Sequence, residues 1–402
     1  MFSNRYVRTV ILSRVLLQLG VWIRNFAILL YVTDVTKNDA FYVSMISVVE
    51  FAPIFLFAII AGTFADRWQP KRTMVWSDLL SAVSVGVVLL VLQQGFWLAL
   101  LLGTFVSASL SQFSQPSATK LFKLHVPGEQ LQGVMALFQS LIAIFMVIGP
   151  IVGTFIYLKY GIEVSLLLTC LLFVGSGVIL LFLPRDVAER QEQKGAGFLA
   201  EMAEGIRYIG GNRALRALSA AFSVSGLAVG LITPLLLFVT MEKLGQGKEF
   251  MQWLMMANGA AMLVGGAVIM AFARKVKPQA LLMTGLLVSA VCTVGGGFST
   301  VIPLSFACQI VGGLVYPCIQ VGIQTMLMQN TEAALMGRVG GAITPIFMGM
   351  MVLGMSFAGY LKDLISLEAV YAISGALLVA GALMLVPSFQ ARAVVKQEKR
   401  VL

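Results

Sequence analysis

The sequence predicts an all-α membrane protein whose twelve spanning helices form two six-helix halves. Three observations carry that expectation. The 402 residues are 59% hydrophobic and 11% charged, whereas a soluble domain carries about 25% charged residues. So little charge cannot cover a water-facing surface, and most of the exterior must meet lipid. Apolar runs near the length of a membrane span, about 20 residues, recur along the chain, and the basic residues collect on alternate connections between them.

The runs fall at 10–32, 42–64, 73–93, 96–117, 132–158, 163–183, 215–240, 250–272, 279–298, 302–327, 337–360 and 367–387. The start, Met1 to Arg8, is basic, and no small-residue cleavage site follows it, so the first run reads as a retained span rather than a removed signal peptide. Numbering the connections alternately puts 21 Lys and Arg on the side of the N-terminus and five on the other: Lys37, Lys159, Lys243, Lys248 and Lys362. Arg14 and Arg24 lie inside the first run. Such a bias over short loops marks the basic side as cytoplasmic. Both termini are then expected on the cytoplasmic side of a cell membrane, inner or plasma. The formal net charge of +10 becomes a topology signal, with no need for nucleic acid as a partner.

The longest polar stretch, 184–214, separates an N-terminal bundle at 1–183 from a C-terminal bundle at 215–390, and a basic tail follows at 391–402. Within the stretch Leu199, Met202, Ile206 and Ile209 recur at helical spacing opposite Glu201, Glu204 and Arg207. That pattern fits a short amphipathic helix on the cytoplasmic face, or a solvated linker with a helical turn or two. Gly62 to Arg72 and Gly266 to Pro278 occupy corresponding connections of the two halves, a weak internal repeat whose second copy lacks the acid.

Several chemistries are excluded. Cys170, Cys292, Cys308 and Cys318 sit in apolar runs without CxxC or Cys/His spacing, which suits packing and not a metal site. His125 is the sole histidine, so no histidine relay is expected. No Walker A sequence and no nucleophile–base arrangement occur, against an ATP-driven pump or an enzyme.

Gly62-xxx-Asp66-Arg67-xxx-Lys71-Arg72, between the second and third runs, resembles the cytoplasmic signature of the major facilitator superfamily. Gly62 allows close helix approach, Asp66 can accept from amides at a helix N-terminus, and the basic cluster suits the headgroup level. Gly149-Pro150-Ile-Val-Gly153 looks like the family's antiporter motif, with Phe145 in place of its upstream glycine. Trp22-Ile-Arg24-Asn25, Glu50-Phe-Ala-Pro53, Phe113-Ser-Gln-Pro116 and Gly337-Arg338-Val339 are similar to the macrolide-efflux and siderophore-export branch of drug:proton antiporters. The resemblance covers the whole chain. It implies a monomer in lipid that exports lipophilic or amphipathic small molecules by alternating access, with protons as the driving ion and no bound cofactor. A dedicated metabolite, siderophore or lysophospholipid transporter is the alternative within transport, and a non-transporting receptor or scaffold the alternative outside it. One departure stands out. Relatives often carry an arginine in the fourth span, about nine residues before the proline matching Pro116, where this chain has Ser107.

A charge in hydrocarbon costs at least about 2.5–3.5 kcal/mol, so it calls for a partner or a task. Arg24 and Glu50 each lie eight residues from the outer ends of consecutive runs, or roughly 12 Å deep at about 1.5 Å per residue. Equal depth permits an ion pair. Glu50 is expected to bind the coupling proton and Arg24 to tune it, or the two form a static pair that fixes packing. Asp78 is expected to be hydrated near the cytoplasm or to pair with the region of Lys71 and Arg72, in a gate or structural role, or else to carry protons. Arg338, on the same side as Asp66, is expected to bridge to it between the halves, and Arg14 to snorkel towards the cytoplasm. Gln309, Tyr316 and Gln320 share one helical stripe, and Gln18, Asn25, Gln139 and Asn258 add neutral polar groups. These suit a lightly polar midplane cavity, or interhelical hydrogen bonds that touch no ligand.

Overall fold

Long helices with short connections account for nearly all of the backbone in the computed structural model, which describes residues 4–184, 198–272, 276–332 and 335–386, apart from the side chains of 58–67, 198–202 and 271–272. The chain divides into two compact units, Met1–Lys194 and Gly195–Leu402. The first holds α1 (Arg5–Val35), α2 (Ala40–Arg67), α3 (Pro70–Leu92), α4 (Ala99–His125) and α5 (Gly128–Leu181). The second holds α6 (Phe198–Gly211), α7 (Arg213–Ile232), α8 (Met251–Phe272), α9 (Pro278–Phe298), α10 (Ile302–Asn330), α11 (Met336–Leu364) and α12 (Leu367–Met384).

Among the described residues, ten helices are long and apolar enough to cross a membrane. One of them, α5, has 54 residues, about 81 Å at about 1.5 Å per residue against about 30 Å of hydrocarbon. It therefore crosses twice, turning at Gly161, whose φ of 77° and ψ of −177° interrupt the helix; glycine reaches that conformation without a Cβ clash. Serines and glutamines dilute α4 and keep it out of the ten. Counting α4 and the second leg of α5 is consistent with the twelve spans expected.

Helix starts follow local chemistry. Pro70 and Pro278 open α3 and α9 at a position where a missing N–H costs nothing. Two asparagines do more. The Asn4 side chain caps α1 by accepting from the Tyr6 N–H at 2.9 Å and donates to the carbonyl of His125, the last residue of α4, at 2.8 Å. The Asn212 side chain caps α7 through the Ala214 N–H at 2.9 Å and donates to the carbonyl of Asn330, the last residue of α10, at 3.1 Å.

The two units repeat further contacts, the first of them in the same register. The carbonyls of Gly20 and Ala228, each 16 residues beyond its asparagine, receive the hydroxyls of Thr169 (3.3 Å) and Ser374 (2.8 Å). A Cβ on Gly153 would lie 2.7 Å from the Trp22 carbonyl oxygen, and one on Gly354 would lie 2.5 Å from the Leu227 carbonyl oxygen, so α5 against α1 and α11 against α7 approach backbone to backbone. The residues Asn4-Arg-Tyr-Val-Arg8 and Asn212-Arg-Ala-Leu-Arg216 thus mark a repeat that the loop comparison missed. Replacing either cap with alanine is expected to cost about 1 kcal/mol, read as a lowered melting temperature of the purified protein.

At the end of the first unit that carries the basic loops, Arg5 donates to the Phe182 carbonyl at 2.7 Å and Lys71 donates to the carbonyls of Leu181 and Leu183. Cations at the end of α5 suit its negative dipole pole. At the opposite end of the second unit, α7 continues through a 3₁₀ turn (Thr233–Leu235) and a helical turn (Leu236–Phe238) into a π-helix (Val239–Lys243). Lys362 holds this irregular tip through Glu242 at 2.8 Å and lies 4.4 Å from the Phe238 ring, and Lys243 pairs with Glu368. Lys362→Met is expected to leave Glu242 without its partner and to raise amide exchange over 239–243, as measured by mass spectrometry.

The expected amphipathic helix is α6, and it belongs to the second unit. Its Ile209 is buried in the apolar core with Leu215 and Val339. A Cβ on Gly205 would collide with the Arg338 carbonyl oxygen, so α6 packs directly on the first turn of α11.

Candidate functional site

Two polar clusters lie inside the first unit, both strung along α1. The one further along α1 begins at Arg24, which is only 3% exposed. Its Nη1 donates to Ser107 Oγ on α4 at 2.5 Å, and its Nε and Nη2 donate to Asn25 Oδ1 at 3.0 and 2.8 Å. Asn25 Nδ2 then donates to Glu50 Oε1 on α2 at 2.5 Å. The result is a chain, Ser107–Arg24–Asn25–Glu50, drawn from α1, α2 and α4.

The direct Arg24–Glu50 ion pair expected from equal depth is therefore corrected: the amide of Asn25 stands between the charges. This interposition has a consequence for charge. The guanidinium bonds to Asn25 and Ser107 and not to Glu50 itself, so neutralising Glu50 leaves each of those hydrogen bonds in place. Ser107, at the place where the family resemblance leads one to expect an arginine, meets a guanidinium all the same. That guanidinium arrives from α1.

The second cluster, nearer the start of α1, was not anticipated. Arg14 is 4% exposed and Asp78 is 1% exposed, and Arg14 Nη2 lies 3.4 Å from Asp78 Oδ2 and 2.9 Å from Ser114 Oγ. Ser114 Oγ donates to Asp78 Oδ1 at 3.1 Å. Ser176 Oγ lies 2.7 Å from Asp78 Oδ2 and 2.8 Å from Ser13 Oγ. Arg14 does not snorkel, because its face of α1 turns into the bundle, where a carboxylate answers it. Asp78 pairs with Arg14 and not with the region of Lys71 and Arg72; Lys71 is engaged at the end of α5, and Arg72 is exposed. The same offset that relates Asn4 to Asn212 sets Arg14 and Arg24 against Phe222 and Ile232 of α7, so α7 lacks both cations.

The remaining predicted residues divide. Gly62, Asp66 and Arg67 fall at the end of α2, and their side chains lie outside the described residues. Arg338 Nη1 pairs with Glu204 Oε1 of α6 at 2.6 Å; the expected bridge to Asp66 falls on a side chain outside the described residues. Gly149 and Gly153 press on Trp22, with Pro150 buried between them.

Asn258 Nδ2 donates to the Gln309 carbonyl at 2.9 Å, which ties α8 to α10; this polar group serves packing. Gln320 Nε2 donates to Tyr316 Oη at 2.6 Å, and both residues, with Gln324 one turn further, are exposed along one face of α10. Exposed polar side chains on a spanning helix favour a watery path over lipid. In the first unit Gln139 is exposed and Gln18 is half-buried. Sequence reasoning missed Ser13, Ser114 and Ser176, since a lone serine in an apolar run carries no signal of a charged partner.

Comparison with known proteins agrees with this architecture. The family model described as Major Facilitator Superfamily matches residues 10–349 and 218–400. Macrolide efflux protein A of Streptococcus pyogenes is 24% identical over 376 residues, covering 90% of this chain and 90% of that protein. Multidrug efflux pump Tap of Mycobacterium tuberculosis is 24% identical over 344 residues, covering 83% and 82%. The crystal structure of nucleoside transporter NupG superposes with a TM-score of 0.75 at 14% identity, over 96% of this chain and 99% of that one. Two matched stretches that together run almost from end to end, on a fold of this kind, establish that the chain belongs to the Major Facilitator Superfamily.

Proposed function

We propose that this protein exports lipophilic or amphipathic small molecules, macrolide-type compounds among them, in exchange for protons by alternating access in the cell membrane. The basic loops and both termini face the cytoplasm in this reading. The observation that carries it is the chain Ser107–Arg24–Asn25–Glu50 inside the membrane-spanning part of the first unit. An acid that stayed ionised for packing alone would be best served by a direct guanidinium pair. Here an amide separates the charges, which leaves Glu50 able to gain and lose a proton while Arg24 remains bonded.

In outline, Glu50 takes a proton from the outer water and gives it up towards the cytoplasm, and its charge decides which conformation the protein prefers. Substrate occupies a neutral polar path to which the exposed Tyr316, Gln320 and Gln324 contribute. The similarity to macrolide efflux protein A and to multidrug efflux pump Tap supports drug-like cargo.

The test is uptake of a labelled macrolide into proteoliposomes under an imposed pH gradient. Wild type is expected to concentrate the label. Glu50→Gln is expected to lose accumulation at least about tenfold, as for loss of a coupling step worth about 1.4 kcal/mol or more, while still exchanging label for unlabelled compound. Gradient-driven accumulation unchanged in Glu50→Gln overturns the role of Glu50.

A further inference from the structure

Asp78 plays no part in the scheme above, yet it is a fully buried acid on the same helix bundle. We propose that Asp78, with Arg14 as its counter-charge, is a second proton-exchanging acid, set in series with Glu50 nearer the basic-loop end of the first unit. This rests on the proton-coupled reading and extends it from one acid to a path.

The surroundings of Asp78 suit both of its protonation states. Arg14 of α1 is the charged group that faces it, and α4 and α5 face it with the hydroxyls of Ser114 and Ser176. A hydroxyl both donates and accepts. When the carboxylate takes a proton on Oδ2, that O–H donates to Ser176 Oγ. The Ser176 proton then turns to Ser13 Oγ or to the Ser13 carbonyl, already 2.8 and 3.1 Å away. No side chain has to leave its place. On release the hydroxyl turns back and the proton passes to cytoplasmic water.

The counter-charge is held loosely. Arg14 reaches Asp78 through one contact of 3.4 Å rather than a two-pronged pair, and its Nε is buried with no hydrogen-bond partner. A pair built for rigidity would use that donor.

The two clusters also repeat one design. Arg24 with Ser107 and Arg14 with Ser114 both join α1 to α4, ten residues apart on the first helix and seven on the fourth. Gln18 of α1 and Ser111 of α4 lie between them in sequence, and Ser111 Oγ donates to the Ser107 carbonyl at 3.0 Å. Glu50 is then the station on the outer side and Asp78 the station on the inner.

Difference infrared spectra of the purified full chain in lipid, recorded as pH is stepped, report each carboxyl group that gains a proton through its C=O stretch. Against the background of exposed acids common to every variant, Glu50→Gln is expected to lose one titrating band and Asp78→Asn a different one. Asp78→Glu should restore the latter at a shifted frequency. Because Asp78→Asn leaves Arg14 unpaired, the neutral pair Arg14→Gln/Asp78→Asn is measured beside it, and it should fold and lack the same band. If both Asp78 variants keep every wild-type band while Glu50→Gln loses one, the second station is overturned and the Glu50 reading stands. If Glu50→Gln loses none while the Asp78 variants do, the reading of Glu50 fails and the series with it.

Discussion

Replacing Asn25 with leucine is expected to abolish gradient-driven export while leaving the protein folded and in the membrane. Asn25 is the one link between the Arg24 guanidinium and the Glu50 carboxylate among the described residues. Without it, two donors of Arg24 lose their acceptor and Glu50 loses its donor. An unsatisfied buried polar group costs about 1–3 kcal/mol, or roughly a five- to 150-fold change in an equilibrium. Arg24 has one remedy, to turn onto Glu50 directly, and a direct pair holds the acid ionised. The expected readout is split: accumulation of a labelled macrolide under a pH gradient falls at least about tenfold, while exchange without a gradient continues. Equal loss of both would point to a structural part for Asn25 alone.

Replacing Gly230 with leucine is expected to remove folded protein altogether. A Cβ at this position would collide with the Met351 carbonyl oxygen, and the atoms in the way are backbone, which cannot rotate aside. On the facing helix Gly354 would meet the Leu227 carbonyl oxygen 2.5 Å away, so neither helix has room to retreat. Overpacking a tight core costs about 1–3 kcal/mol and sometimes more, and a backbone collision belongs at the upper end. Gly340 on α11 is the control, because a Cβ there meets nothing within 4 Å. Gly340→Ala should be tolerated and should gain up to about 1 kcal/mol from helix propensity. Size-exclusion profiles and melting curves of the detergent-solubilised variants separate the two cases.

The spans were legible because apolar runs and their basic flanks answer to the bilayer, which acts on every segment alike. The relation of Arg24 to Glu50 was half legible. Counting residues from the span ends gave their common depth, but depth along a helix says nothing of which side chain turns between two others. Asn25, one position on, points about 100° round the helix from Arg24 and takes the bridging place.

The same blindness to helix rotation produced the error at Arg14. Its nearness to the span end suggested snorkelling, and only packing reveals that its face of α1 meets α3, α4 and α5. Ser107 looked like a loss in a reading confined to one helix, because the guanidinium that reaches it belongs to another. The paired starts Asn4-Arg-Tyr-Val-Arg8 and Asn212-Arg-Ala-Leu-Arg216 were present as letters. Their meaning, a cap that also ties the first spanning helix of each unit to its fourth, needed the partner carbonyls of His125 and Asn330.

Exchange of a proton for substrate at Glu50 is open to one direct measurement. A macrolide is added to purified protein in weakly buffered detergent solution, and the protons released on binding are recorded with a pH-sensitive dye. Wild type should release protons as the compound binds, and Glu50→Gln should bind the compound and release markedly fewer. Release from Glu50→Gln equal to that from wild type, or none from wild type, would contradict the account.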